Sequence, residues 1–195
     1  KPENFLYENK NEDSDVKIID FGLSKMFVKG KGGISKMETK AGTVSKHFLY
    51  LNLSFDIAYY ISPEVLAGNY DEKCDIWAAG CILYTLLCGY PAFCGEDDQE
   101  ILQLVVKGKF SFDGEEWEDI SKEAKDLIKK MICKPERRLT AAEVIQHKWV
   151  KMMTSGEQKE KLAKIKNMGG LRKTQHYSKM QQAAMTAIAV QAGPD

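Results

Sequence analysis

The sequence predicts a mainly α domain, entered through a small two-stranded β element and extended by a C-terminal amphipathic helix. Three observations predict it. From Ser62 to about Val150, apolar residues recur at helical spacing. Two short apolar runs near the N-terminus flank a polar, turn-rich stretch. Beyond Gly169-Gly170, Tyr177, Met180, Ala184 and Ile188 are spaced 3, 4 and 4 apart, one stripe of a helix.

Asn4–Tyr7 and Val16–Ile19 read as paired strands, with Glu8–Asp15 supplying the turn. Lys29–Gly33, rich in Gly and Lys and without periodicity, reads as a loop. Ile76–Cys88 is apolar all round, as suits a buried axial helix. Asp97–Gly108 carries acids at its start and Lys107 at its end, matching the helix dipole. Ser121–Cys133 has a loose serine cap and places Ala124, Leu127, Ile128 and Met131 on one face. Thr140–Val150 opens with a capping box, Thr140 and Glu143, and reads as one helix.

The chain has 195 residues and 28 basic against 28 acidic side chains. Hydrophobic residues at 44% and charged ones at 29% are globular values, which excludes wholesale disorder. A neutral total argues against a nucleic-acid or anionic-membrane coat, and neither partner is expected. The charge is nonetheless divided. Residues 151–195 hold eight Lys/Arg and three acids, net +5, and the body before them is −5. Five cysteines with no C-x-x-C pair read as reduced thiols in a cytoplasmic protein; Cys74, Cys81 and Cys88 recur along one helix. Ile76–Gly95 lacks charge, but Gly80, Gly89 and Pro91 interrupt it, so it reads as a soluble core helix.

Lys1-Pro2-Glu3-Asn4, Asp20-Phe21-Gly22, Ser62-Pro63-Glu64, Asp75-x-Trp77-x-x-Gly80 and Arg138 follow in this order. Together they resemble the C-terminal lobe of a eukaryotic Ser/Thr protein kinase over residues 1–150. ATP-dependent phosphoryl transfer needs oxygen ligands for Mg²⁺ between the phosphates. The resemblance implies that Asn4 and Asp20 bind Mg²⁺ with ATP, and that Lys1 steadies the transferred phosphate. It also places Thr43, of Gly42-Thr43, with the catalytic residues. Read by themselves, Asp20 is equally a turn-starting Asp and Asn4 a capping amide. Phe21 and Gly22 complete the Asp-Phe-Gly element. Glu64 and Arg138 resemble the family's buried ion pair, whose disruption costs about 3–5 kcal/mol. Asp75 resembles the Asp that holds the catalytic loop from below, and also reads as an acidic helix start.

The family's His-Arg-Asp-Leu-x-x-x-Asn signature puts the catalytic Asp five positions before the Asn. Counted back from Asn4, that position precedes Lys1. The Gly-rich loop, the strand Lys and its Glu partner are also missing, so the expectation is a fragment, inactive alone. Between Gly42-Thr43 and Ala58-Tyr59-Tyr60 stands a second departure, the insert 44–57. It carries Phe48, Leu49, Tyr50, Leu51, Leu53 and Phe55, an aggregation-prone run. A retained intron or gene-model error is the favoured reading, a functional insert the alternative. Thr39 is a candidate activation-loop phosphosite.

Residues 151–170 read as a linker or basic helix. Leu171, Arg172 and Lys173 then lead the stripe of Tyr177, Met180, Ala184 and Ile188. A basic amphipathic helix reads as a calmodulin-type target, a membrane-surface helix, or a helix docked on its own domain. Gln182-Ala183-Ala184-Met185-Thr186-Ala187-Ile188-Ala189 resembles the junction of calcium-dependent protein kinases from plants and protists. That resemblance implies autoinhibition by 171–191, relieved by calmodulin or a downstream calmodulin-like EF-hand domain. Calcium would then act only through that sensor, since these residues hold no EF-hand loop. The substrate implied is a protein. The alternative is a non-catalytic scaffold whose working part is the calmodulin-binding helix.

Overall fold

The computed structural model describes residues 4–8, 14–19, 37–38 and 58–155. The chain divides into two compact units. One contains 1–24 together with 166–195, and the other runs from 25 to 165.

In the first unit, β1 (Phe5–Tyr7) pairs antiparallel with β2 (Val16–Ile18), Phe5 opposite Ile18 and Tyr7 opposite Val16. The main chain continues this register outward. Ile19 N–H donates to the Asn4 carbonyl at 2.8 Å, and Glu8 N–H to the Asp15 carbonyl at 2.9 Å. Residues 9–13, the middle of the turn expected between these strands, lie outside the described residues.

The second unit is helical around one apolar core. A second pairing, β3 (Met37–Glu38) with β4 (Asn69–Tyr70), was not foreseen. Between these strands in sequence lies α1 (Pro63–Leu66), with Pro63 at its first position where a missing N–H costs nothing. The axial helix α2 (Lys73–Cys88) begins three residues before the expected Ile76. Asp71 Oδ1 accepts from the Lys73 N–H at 2.9 Å and holds that polar first turn. Trp77, Gly80, Cys81, Tyr84, Leu87 and Cys88 form its buried face. It stops at Gly89, whose φ of 95° suits glycine in the left-handed region.

Helix α3 (Asp98–Lys107) has acids in its first turn and Lys107 in its last, as the sequence suggests; in addition Asp97 accepts from the Glu100 N–H, and Gly108 closes the far end at φ 61°. It buries Ile101, Leu102 and Val105. A 3₁₀ turn at Glu115–Trp117 delivers a fully buried Trp117 to the core. Helix α4 (Lys122–Met131) is capped by Ser121 and buries Ala124, Leu127, Ile128 and Met131, the face read from the spacing. Gly80 permits α2 to approach it closely; a Cβ there would stand 2.8 Å from the Met131 Cβ.

The single helix expected over Thr140–Val150 is two. Helix α5 (Ala141–Gln146) has the full Thr140/Glu143 capping box, and α6 (Lys148–Thr154) follows after a break at His147. His147 is extended, at φ −63° and ψ 141°, and ends one helix while capping the next. The turn brings Trp149 against the core. Helix α6 also runs past residue 150, the boundary expected between domain and linker.

All five cysteines are free. Cys81 and Cys88 are buried and Cys74 half-buried, while Cys94 is exposed. Burial pushes the Cys74 thiol up to about 12 and the Cys88 thiol up to about 11. No helix among the described residues is long and apolar enough to cross a membrane.

Candidate functional site

The hairpin carries Asn4, one of the two Mg²⁺ ligands expected from the sequence. Asn4 immediately precedes β1, and its carbonyl is bonded to Ile19 at the far end of β2. The residue after Ile19 is Asp20, which lies outside the described residues, as do Lys1, Phe21, Gly22, Thr39 and Thr43. An amide oxygen and a carboxylate are hard donors of the kind Mg²⁺ takes. Among the described residues, no group of three or more His, Cys, Asp or Glu side chains is arranged to hold a metal.

The second unit brings Glu64 and Arg138 together, 74 residues apart in sequence. Arg138 is 2% exposed and uses all five of its N–H bonds. Nη1 donates to Glu64 Oε1 and to the Lys73 carbonyl at 2.7 Å. Nη2 donates to Glu64 Oε2 at 3.1 Å and to the Cys133 carbonyl at 2.8 Å. Nε donates to the same Cys133 carbonyl at 3.0 Å. The guanidinium also lies 5.0 Å from the centre of the Trp77 ring, which stacks on Phe93 at 5.6 Å. Burial alone would raise the Glu64 carboxyl, but the Arg138 hydrogen bonds and charge outweigh it and hold it below 4.5.

This arrangement fastens α1, where Glu64 sits, to the start of α2 and to the turn after α4. Lys73 adds a strut, its Nζ donating to the Pro135 carbonyl at 2.9 Å. A groove of about 590 Å³ opens beside the pair, lined by Pro63, Asn69, Tyr70, Lys73, Pro135 and Glu136 among others. Asp75 lies in the first turn of α2 with an exposed side chain. Sequence reasoning missed Lys73 and the carbonyl partners. Backbone acceptors leave no mark in side-chain patterns, and Lys73 precedes the apolar run that drew attention to α2.

The model for the protein kinase domain matches residues 1–150. The chain belongs to the protein kinase family. It is similar to calcium-dependent protein kinase 3 of Plasmodium berghei (strain Anka), 42% identical over 193 residues, covering 98% of this chain and 32% of the relative. Calcium-dependent protein kinase 4 of Plasmodium falciparum (isolate 3D7) is 49% identical over 157 residues, 80% of this chain and 26% of the relative. Calcium-dependent protein kinase 1 of Oryza sativa subsp. japonica is 40% identical over 190 residues, 97% of this chain and 33% of the relative. The chain thus spans about a third or less of the length of these curated relatives. The junction residues Leu171, Arg172, Lys173, Tyr177, Met180, Ala184 and Ile188, and the insert 44–57, lie outside the described residues.

Proposed function

We propose that this chain supplies the C-terminal lobe and the regulatory junction of a calcium-regulated protein Ser/Thr kinase. The reaction is transfer of ATP's terminal phosphoryl group to protein hydroxyls. The observation that carries this reading is the extent of similarity. The kinase domain match ends at residue 150, yet the alignment with a calcium-dependent protein kinase continues through nearly the whole tail.

In this reading Asn4 and Asp20 hold Mg²⁺ through oxygen donors, and Lys1 steadies the phosphoryl group in transfer. Bound Mg²⁺ neutralises charge between the phosphates. The hairpin's part is positional: the Ile19-to-Asn4 hydrogen bond ties Asn4 to the residue that precedes Asp20 in sequence. Thr43 belongs to the same catalytic apparatus, and Thr39 is a phosphosite of the segment before it. Glu64 and Arg138 hold the protein-substrate side of the lobe to its base, and Asp75 supports the catalytic loop. The segment 171–191 blocks the cleft until a calcium-loaded EF-hand partner binds it better in the released state than docked.

The chain spans about a third or less of the length of its curated relatives, and we expect these 195 residues alone not to turn over ATP. The test is to join it behind the nucleotide-binding lobe and His-Arg-Asp loop of one of its relatives, and to follow radiolabel from γ-labelled ATP into a serine peptide. Transfer by the joined protein supports the reading. Transfer by the unextended chain, or none by a folded joined protein, contradicts it.

A further inference from the structure

His147 occupies the break between α5 and α6, and each part of it has a partner. Its N–H donates to the Val144 carbonyl at 3.1 Å, closing α5. Its carbonyl accepts from the Lys151 N–H at 3.0 Å, opening α6. Its ring is used at both nitrogens. Nδ1 accepts from the Trp149 N–H at 3.3 Å, the cap of α6, and Nε2 lies 3.0 Å from Asp126 Oδ2 on α4.

These contacts fix the protonation pattern. A nitrogen that accepts from a backbone N–H carries no proton, so the ring's proton is on Nε2 and is donated to Asp126. Asp126 is suited to receive it. The hydrogen bond from Lys130, at 2.7 Å, and then that from His147 hold its carboxyl below the ordinary carboxylate value. The only place for a second proton is Nδ1, and an N–H there would face another N–H. The ring cannot be charged and cap α6 at once.

The geometry points to His147 as a proton-operated cap: the neutral imidazole holds the first turn of α6, and the imidazolium releases it while staying paired with Asp126. The proton comes from solvent. The ring borders an open groove of about 510 Å³, and its side chain is 10% exposed. The charged groups facing that groove are Lys122, Glu123, Asp126 and Lys130 of α4 and Lys148 of α6. Lys148 is held by Glu123 at 2.9 Å and Lys130 by Asp126, so Asp126 is the acid in direct contact with the ring. Helix α6 is the last described element and contains residues 151–154, the first of the basic tail. The proposal does not depend on the kinase reading.

The test is nuclear magnetic resonance of the 195-residue chain, following the His147 ring and the Trp149 amide together as pH is lowered. The Trp149 amide is expected to shift with the same midpoint as the ring, and its protection factor, referenced to the intrinsic exchange rate at each pH, to fall about fivefold as the cap is lost. H147N substitutes a capping side chain that does not titrate. It should keep Trp149 protected and abolish the pH-dependent step. In D126N the Trp149 amide should still follow the ring. A Trp149 amide that stays fixed while the ring titrates overturns the proposal, as does the same step surviving in folded H147N.

Discussion

Replacing Arg138 with Met removes the guanidinium but keeps an apolar stem of similar length beside Trp77. Three acceptors then lose donors in a buried setting: the Glu64 carboxylate, whose side chain is 9% exposed, and the carbonyls of Lys73 and Cys133. An unpaired buried carboxylate alone costs about 3–5 kcal/mol. The Cys133 carbonyl, which both Nε and Nη2 of Arg138 serve, adds up to about 1–3 kcal/mol where water cannot reach it, while the Lys73 carbonyl stays within helix α2. We expect R138M to lose about 4 kcal/mol, a large share of the roughly 5–15 kcal/mol that holds a domain together. Urea unfolding followed by tryptophan fluorescence measures this, with Trp77, Trp117 and Trp149 as reporters. E64L/R138M should be less destabilised than the two single changes summed, by about 2 kcal/mol, because each single change leaves the other charge buried. The pH dependence has a definite sign. Arg138 depresses the Glu64 carboxyl below 4.5 in the folded state. Its stabilisation is therefore present above that value and lost as pH falls through the folded pKa beneath it. The gap between native protein and R138M narrows below about pH 4.5. A loss under about 1 kcal/mol for R138M, or strict additivity in the double variant, would refute the reasoning.

Three further outcomes follow from the packing and the connections. T140A should cost about 1 kcal/mol in the same urea assay, since the Thr140 hydroxyl caps α5 and Glu143 closes the box from the other side. G80A should cost about 1–3 kcal/mol, because the new methyl meets Met131 Cβ at 2.8 Å and Ile132 Cγ1 at 2.9 Å. Deleting 44–57 should leave the helical unit folded, because β3 pairs with β4 on one side of it and fully buried Ala58 anchors the other. The connection from Glu38 to Ala58 shortens about fourfold, and the shorter closure is worth roughly 1 kcal/mol of added stability. Loss of the cooperative unfolding transition on deletion would count against that.

The helices whose ends carry their own signals are legible in the sequence. Asp97 and Gly108 bracket α3, Ser121 opens α4, and the Thr140/Glu143 box opens α5. The break at His147 was not legible. Val144, Ile145, Trp149 and Val150 keep an apolar period across it, and a period is blind to one extended residue. Histidine also stands outside the usual capping residues, though here a ring nitrogen does what a Ser or Asp oxygen does elsewhere. The β3–β4 pairing involves two residues per strand, too few for alternation to register. At the candidate site, the meeting of Glu64 and Arg138 was expected only through family resemblance, because no local pattern links positions so far apart. The carbonyls of Lys73 and Cys133, which complete the arginine's coordination, are invisible to any side-chain reading.

The most direct test of the central reading, that Asn4 and Asp20 serve phosphoryl transfer, is a rate. The chain joined behind a relative's nucleotide-binding lobe is compared with the same protein carrying D20N, at saturating Mg²⁺ and ATP. Loss of one charge-stabilising group at a reacting centre typically costs about 10²–10³-fold. We expect a fall of that order in phosphate transfer, with the unfolding curve unchanged. Equal rates from the two proteins would contradict the assignment of Asp20 to the metal, and with it the proposed function.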